Sequence, residues 1–158
     1  MAEIAVIGLG NPLLKDDGFG PRVIRALRSS GLPAGVQAVE AGGSFYSYWD
    51  LLLSCQHVIA VDSMLGDGPP GTVYMLSPEQ LAGARQLERG LWHEIHFLDV
   101  LKMAAFFGAR PEVTIVGVQP GEINFCLDLS PQLQARLPQV TKLVREMCCR
   151  LLRDSSRL

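Results

Sequence analysis

The chain has 158 residues, 48% of them hydrophobic and 19% charged, which excludes a disordered segment and suffices for one domain with a buried core. Sixteen acidic residues against fourteen Lys and Arg give a formal charge of −2, so no general attraction to nucleic acid or to an anionic membrane is expected. No apolar run is long enough to span a bilayer, and the opening MAEIAVIGLGNP lacks the basic flank of a signal peptide. The four cysteines, Cys55, Cys126, Cys148 and Cys149, match neither a zinc ribbon nor a redox CxxC and read as reduced core or surface thiols. A cytoplasmic protein is expected.

In chain order, Glu3 to Gly8 is a short apolar run ending in Gly, suited to a buried strand. After a polar loop, Pro21 fits the first turn of a helix that carries Val23, Ile24 and Leu27 on one face and stops at Gly31. Val36 to Glu40 alternates as a strand. Ser44 is placed to cap a second helix with Phe45, Tyr48, Trp49 and Leu52 turned inward. His57 to Asp62 (HVIAVD) reads as a buried strand ending in a carboxylate, and GDGPPG at 66–71 as a turn before a strand from Val73 to Leu76. A short helix follows Ser77-Pro78. Helical spacing resumes at Ile95, Leu98, Leu101 and Ala105 and closes at Gly108, and Val113 to Val118 is the last strand. The final helix is expected to be capped by Ser130, to start at Pro131, and to show a stripe of Leu133, Leu137, Val140, Val144, Met147 and Leu151. Pro138 should kink it or mark its true start.

Strands alternating with helices predict a single three-layer α/β/α domain over 1–158, with a twisted, mostly parallel five-stranded sheet. Ligands of such sheets bind beyond the carboxyl ends of the strands, near the switch in strand order. The segments to question are therefore Gly8 to Gly20, Ala41 to Ser44 and Asp62 to Leu65.

Gly8-x-Gly10 after a strand suggests a dinucleotide loop, but the third glycine of GxGxxG falls on Leu13. Asp16 and Asp17 would also stand where a pyrophosphate needs a positive helix end. No nucleotide is expected. The same carboxylates suit a cation: Asp17 follows strand one, Asp62 ends strand three, and such strand ends are commonly neighbours. Each alone reads better as a helix cap or turn former; the pairing raises the chemical reading level with it. LWHEIHFLDVL supplies His93 and His96, spaced i, i+3 rather than as the HExxH of a zinc protease helix, and either is a possible third ligand. His57 opens a strand and reads as structural. No GxSxG elbow occurs and no cysteine sits in a recognisable nucleophile setting, so any hydrolysis must use a metal-bound or carboxylate-activated water.

Gly8-Leu9-Gly10-Asn11, Leu14, Asp16-Asp17-Gly18 and Gly20 together resemble the opening motif of the hydrogenase maturation endopeptidases. Gly42-Gly43, Asp62 closing HVIAVD, His93 ahead of Asp99-Val100-Leu101, and Val116-Gly117-Val118-Gln119-Pro120 extend the likeness over nearly the whole chain. The resemblance implies a cytoplasmic, aspartic-type endopeptidase that removes the C-terminal extension of a nickel–iron hydrogenase large-subunit precursor after nickel insertion. Asp17, Asp62 and His93 would be both the metal ligands and the catalytic residues, and the divalent metal would be the nickel carried by the substrate. Well-known members have Glu at the position of Asp17, so this chain is shorter there by one methylene. Asp16 is read instead as orienting the loop through backbone hydrogen bonds. The alternative is a non-catalytic metal-binding chaperone or sensor module of hydrogenase assembly. Oligomeric state is left open.

Overall fold

A computed structural model describes the backbone of residues 2–42, 44–84 and 92–158, with side chains for the same residues except 84 and 92–95. Five strands, β1 (Ile4–Gly8), β2 (Val36–Glu40), β3 (His57–Ser63), β4 (Val73–Leu76) and β5 (Glu112–Val118), form one sheet in the order β2-β1-β3-β5-β4. β1, β2, β3 and β5 run parallel, and β4 pairs antiparallel with β5 at the edge. Five α-helices accompany them: α1 (Phe19–Ser29), α2 (Trp49–Ser54), α3 (Pro78–Ala84), α4 (Trp92–Phe106) and α5 (Pro131–Ser155). The expected α/β/α architecture with a mostly parallel five-stranded sheet is the one observed.

The layers follow from side-chain alternation along the strands. Ile4, Val6, Ile59, Val61, Val116 and Val118 pack with Val23, Ile24 and Leu27 of α1 and Leu133, Val140 and Val144 of α5. On the other face Ala5, Ile7, Val58, Ala60 and Ile115 meet Leu52 of α2, Leu81 of α3, and Phe97, Leu98 and Ala104 of α4. β1 lies inside the sheet and all five of its residues are buried, which is why its sequence is a continuous apolar run.

Close approach of α1 to the sheet is set by glycine. A Cβ on Gly20 would fall 2.3 Å from the Leu9 carbonyl oxygen and 2.4 Å from that of Val61. Only a residue without a side chain lets this helix start so near the ends of β1 and β3.

Local expectations are corrected at Ser44, at Ser130 and at Pro138 as the start of the last helix, whereas Pro21 falls in the first turn of its helix as expected. The polar loop after β1 contains a 3₁₀ turn at Lys15–Gly18, and α1 begins at Phe19, two residues ahead of Pro21. Pro21 still lies in the first turn, where its missing N–H has no intrahelical partner to lose. Ser44 accepts a hydrogen bond from the Tyr46 amide, but it caps a 3₁₀ turn at Phe45–Ser47; the helix proper starts at Trp49. Tyr48 and Leu52 are buried, while Phe45 and Trp49 are half-buried. Ser130 stands at the N-cap of α5 without bonding the helix through its side chain. Finally, α5 runs on through Pro138, whose ring is exposed. Among the described residues no helix is long and apolar enough to cross a membrane.

Candidate functional site

β1 has β2 on one side and β3 on the other, so the loops leaving β1 and β3 diverge at the switch in strand order. Asp17 and Asp62 both occupy this place. Asp62 is fully buried near the end of β3, and Asp17 is 5% exposed in the 3₁₀ turn after β1. Val58, Ala60 and Met64 belong to the α4 face, so the two-residue strand period turns Asp62 toward the same layer.

The Asp17 carboxylate is held from two sides. The Asn11 amide donates to Oδ2 at 2.9 Å, and the Ser63 hydroxyl donates to Oδ1 at 3.2 Å. Ser63 follows Asp62, so one hydrogen bond ties the first loop to the end of β3. Gly10 forms the floor between the two acids: a Cβ there would meet the Asp17 carbonyl oxygen at 2.0 Å and stand 3.6 Å from Asp62 Oδ1. Gly10 also has φ of +116°, a conformation in which an L side chain is strained. The glycine that suggested a phosphate loop thus lets the backbone at Asp17 and the side chain of Asp62 close in on the first loop. Two buried acids at neighbouring strand ends favour a cation and disfavour phosphate.

Asp16, equally buried, does something else. Its Oδ2 accepts from the amides of Gly121 and Glu122 at 2.8 and 2.9 Å and from the Ser130 hydroxyl at 2.7 Å; its Oδ1 accepts the Ser130 amide at 2.7 Å. The Ser130 side chain, which bonds no amide of α5, is turned to Asp16 as a donor. The expected loop-orienting role of Asp16 is what the geometry shows, and the loop it orients is the distant segment between β5 and α5. Lys15 adds a 2.6 Å ion pair to Glu122; that hydrogen bond raises the lysine pKa and lowers that of the glutamate. Lys15 itself takes a left-handed backbone with φ of 50°, and its amide reaches the Cys126 carbonyl at 2.8 Å.

His93 is in the first turn of α4, with its side chain outside the described residues, as is Gly43 of the Gly42-Gly43 pair. His96 is exposed one turn later, its ring centroid 6.0 Å from that of Phe45. His57 opens β3, so it stands at the opposite end of the sheet from Asp62, with Nδ1 3.5 Å from a Glu112 carboxylate oxygen. Among the described residues no three His, Cys, Asp or Glu side chains are grouped as a metal site; Asp17 and Asp62 are the two donors of the expected set whose side chains are described. Carboxylate oxygens at this place fit a divalent cation such as nickel, which accepts oxygen and imidazole donors.

All four cysteines are free thiols. Burial pushes the Cys148 thiol up to about 11 and raises that of Cys55, so neither is a thiolate near neutral pH. Asn11 and Ser63, which fix Asp17, were not singled out as site residues; Asn11 lies inside the opening motif, while Ser63 shows no sequence signal beyond following Asp62.

The chain is similar to proteins of one kind. A family model described as hydrogenase maturation protease matches residues 21–147, starting just after the loop that carries Asp17. The hydrogenase 2 maturation protease of Escherichia coli K12 is 30% identical over 151 residues, covering 91% of this chain and 92% of that protein. Other curated relatives are longer, and the chain spans 66%, 59% and 71% of the length of three hydrogenase expression/formation proteins. The hydrogenase maturating endopeptidase HybD of E. coli superposes with a TM-score of 0.80 at 27% identity, covering 98% of this chain and 94% of its own. A hydrogenase 2 maturation peptidase from a Thaumarchaeota archaeon is 35% identical with a TM-score of 0.68, covering 92% and 97%. With a family match across most of the sequence, a curated relative covered along almost its whole length and the same fold in solved structures, this chain belongs to the hydrogenase maturation proteases, a family of peptidases.

Proposed function

We propose that the protein is a cytoplasmic endopeptidase that removes the C-terminal extension of a nickel–iron hydrogenase large-subunit precursor after nickel insertion, and that it recognises the nickel carried by that precursor. The observation that carries this reading is the burial of two acids, Asp17 and Asp62, at the neighbouring ends of β1 and β3 at the strand-order switch, with the Ser63 hydroxyl joining the first loop to β3. Asp17, Asp62 and His93 contact the metal and are the catalytic residues. Two carboxylates and an imidazole are acceptable donors for nickel and leave positions for ligands from the precursor or for water. The bound cation supplies Lewis acidity and a fixed anchor for the scissile peptide. The chain's own part is to hold the acids in place: Asn11 and Ser63 orient Asp17, and burial keeps water from competing for both carboxylates. The raised thiols of Cys55 and Cys148 agree with hydrolysis by water rather than through a covalent thioester.

The test is incubation with nickel-loaded and nickel-free precursor, read by mass. A defined C-terminal peptide released from the loaded precursor alone is the expected result. Tight binding of the loaded precursor without any released peptide would instead identify a metal-binding chaperone or sensor module. Asp17→Asn, Asp62→Asn and His93→Ala should each slow release about a hundredfold or more, as displacements near 1 Å already do where geometry limits the rate. Wild-type rates in all three would remove this site from the reaction.

A further inference from the structure

We propose that the segment between β5 and α5 forms a rigid apolar docking surface for the precursor polypeptide, with Leu13, Ile123, Phe125 and Leu127 as its contact side chains. This rests on the reading of the chain as acting on that precursor. Phe125 is 88% exposed, Leu127 65%, Leu13 50% and Ile123 41%. Single exposed apolar residues need no explanation, but several gathered on one small region of a folded protein mark an interaction site. Ile123, Phe125 and Leu127 are exposed along a bent stretch in which the half-buried Cys126 forms a parallel bridge to Leu14.

The stretch is held fast. Asp16 takes the amides of Gly121, Glu122 and Ser130, Lys15 pairs with Glu122, and Arg22 donates to the Leu127 carbonyl. The Cys126 amide donates to Leu13 at 3.0 Å, and the Lys15 amide returns to Cys126 at 2.8 Å. A loop exposing large apolar side chains would ordinarily collapse over them. Here buried polar bonds fix the backbone, so the side chains are displayed with little ordering left for a partner to impose, which favours binding.

The patch and the candidate site share one loop. Asn11 accepts the Leu13 amide through its side chain at 2.9 Å and donates its own amide to the Asp17 carboxylate at the same distance. The segment therefore borders the place where a scissile peptide must lie, and the occupant that fits is an apolar stretch of the precursor flanking the cleavage point. A second copy of this chain has no corresponding tie to Asp17.

The experiment compares wild type with Phe125→Ser/Leu127→Ser, whose altered side chains are exposed and outside the core. Cleavage kinetics on nickel-loaded precursor, equilibrium binding of that precursor, and sedimentation of the protein alone are measured together. The expected result is a KM and a binding constant weakened about tenfold or more, the range for losing interface anchors, at unchanged kcat. Unchanged KM and binding in the double variant, with wild type cleaving normally, would overturn the docking surface and leave the endopeptidase reading standing. If wild type binds the precursor without cutting it and the double variant binds it more weakly, the docking surface stands and the endopeptidase reading falls. A wild type that neither binds nor cuts overturns both. A wild-type dimer that the double variant abolishes, with precursor binding intact, would assign the patch to self-association and refute the proposal.

Discussion

Two adjacent acids of identical length divide the work of this loop, and replacing Asp16 by Asn tests that division. The Asp16 carboxylate accepts three hydrogen bonds at Oδ2 and one at Oδ1. Asn offers a single carbonyl oxygen. Its best placement keeps that oxygen at the Oδ2 position and turns its NH₂ toward the Ser130 amide, donor against donor. One bond is lost outright and a buried donor is orphaned, at about 1–3 kcal/mol. The remaining three change from charge-assisted to neutral, which roughly halves their strength. Together these predict a loss of about 3–5 kcal/mol, a large share of the roughly 5–15 kcal/mol available to a domain. At about 2–4 °C per kcal/mol for a chain of this size, the melting temperature should fall by roughly 6–20 °C. Ser130→Ala removes only the hydroxyl donor, leaving three amides on an intact carboxylate, and should cost about 1–2 kcal/mol. Urea unfolding and thermal melts of the two variants check the order and size of the effects. If Asp16→Asn unfolds within about 0.5 kcal/mol of wild type, as an ordinary surface change would, the bonds from the β5–α5 segment do not hold it in solution.

Gly10→Ala should slow cleavage roughly a hundredfold, because its Cβ would lie 2.0 Å from the Asp17 carbonyl oxygen and the loop must move by about 1 Å or more; cleavage at the wild-type rate would show that the position of this loop does not limit the reaction. Asp17→Glu should retain measurable precursor cleavage in the same mass assay, because the carboxylate charge is kept; a loss as deep as that of Asp17→Asn would show that the length of this side chain is critical. Replacing Cys55, Cys126, Cys148 and Cys149 singly by Ala should leave cleavage within roughly a few-fold of wild type, since no thiol is required as nucleophile; loss of several orders of magnitude at one of them, with the fold intact, refutes the water-based mechanism. Because burial lifts the Cys148 thiol from its ordinary 9.0 to about 11, the unfolded chain ionises first as pH rises. Stability should therefore be unaffected by this group below pH 9.0 and decline through about 11, and Cys148→Ala should flatten that part of a melting-temperature profile.

The sequence by itself determined the layers. Runs such as IAVIG and HVIAVD are apolar on both alternating faces, and a strand of that composition is stable only when helices cover both sides of the sheet. Pro21 and Gly31 bracketed the first helix to within two residues, because helix starts and stops depend on local backbone chemistry. The paired acids were visible too, since a carboxylate closing a buried strand is costly without a task. Contacts between distant segments were not visible. Nothing near Asp16 in the sequence announces that its partners are Gly121, Glu122 and Ser130, more than a hundred positions away. For the same reason Ser130 read as a helix cap: its local surroundings match one, and only the folded chain brings Asp16 within reach of its hydroxyl and amide. Pro138 read as a kink or a helix start because removal of a helical hydrogen bond is a local cost, whereas the burial of Leu133, Val140 and Val144 against α1 and the sheet, which carries α5 past it, is a tertiary gain. Even the glycines changed meaning. In the sequence Gly10 belongs to a phosphate-loop pattern; in the structure its missing side chain leaves room for the Asp17 backbone carbonyl and the Asp62 side chain. Spacing along a chain records which residues are available, and the crossing of β1 and β3 at the switch point decides which of them meet.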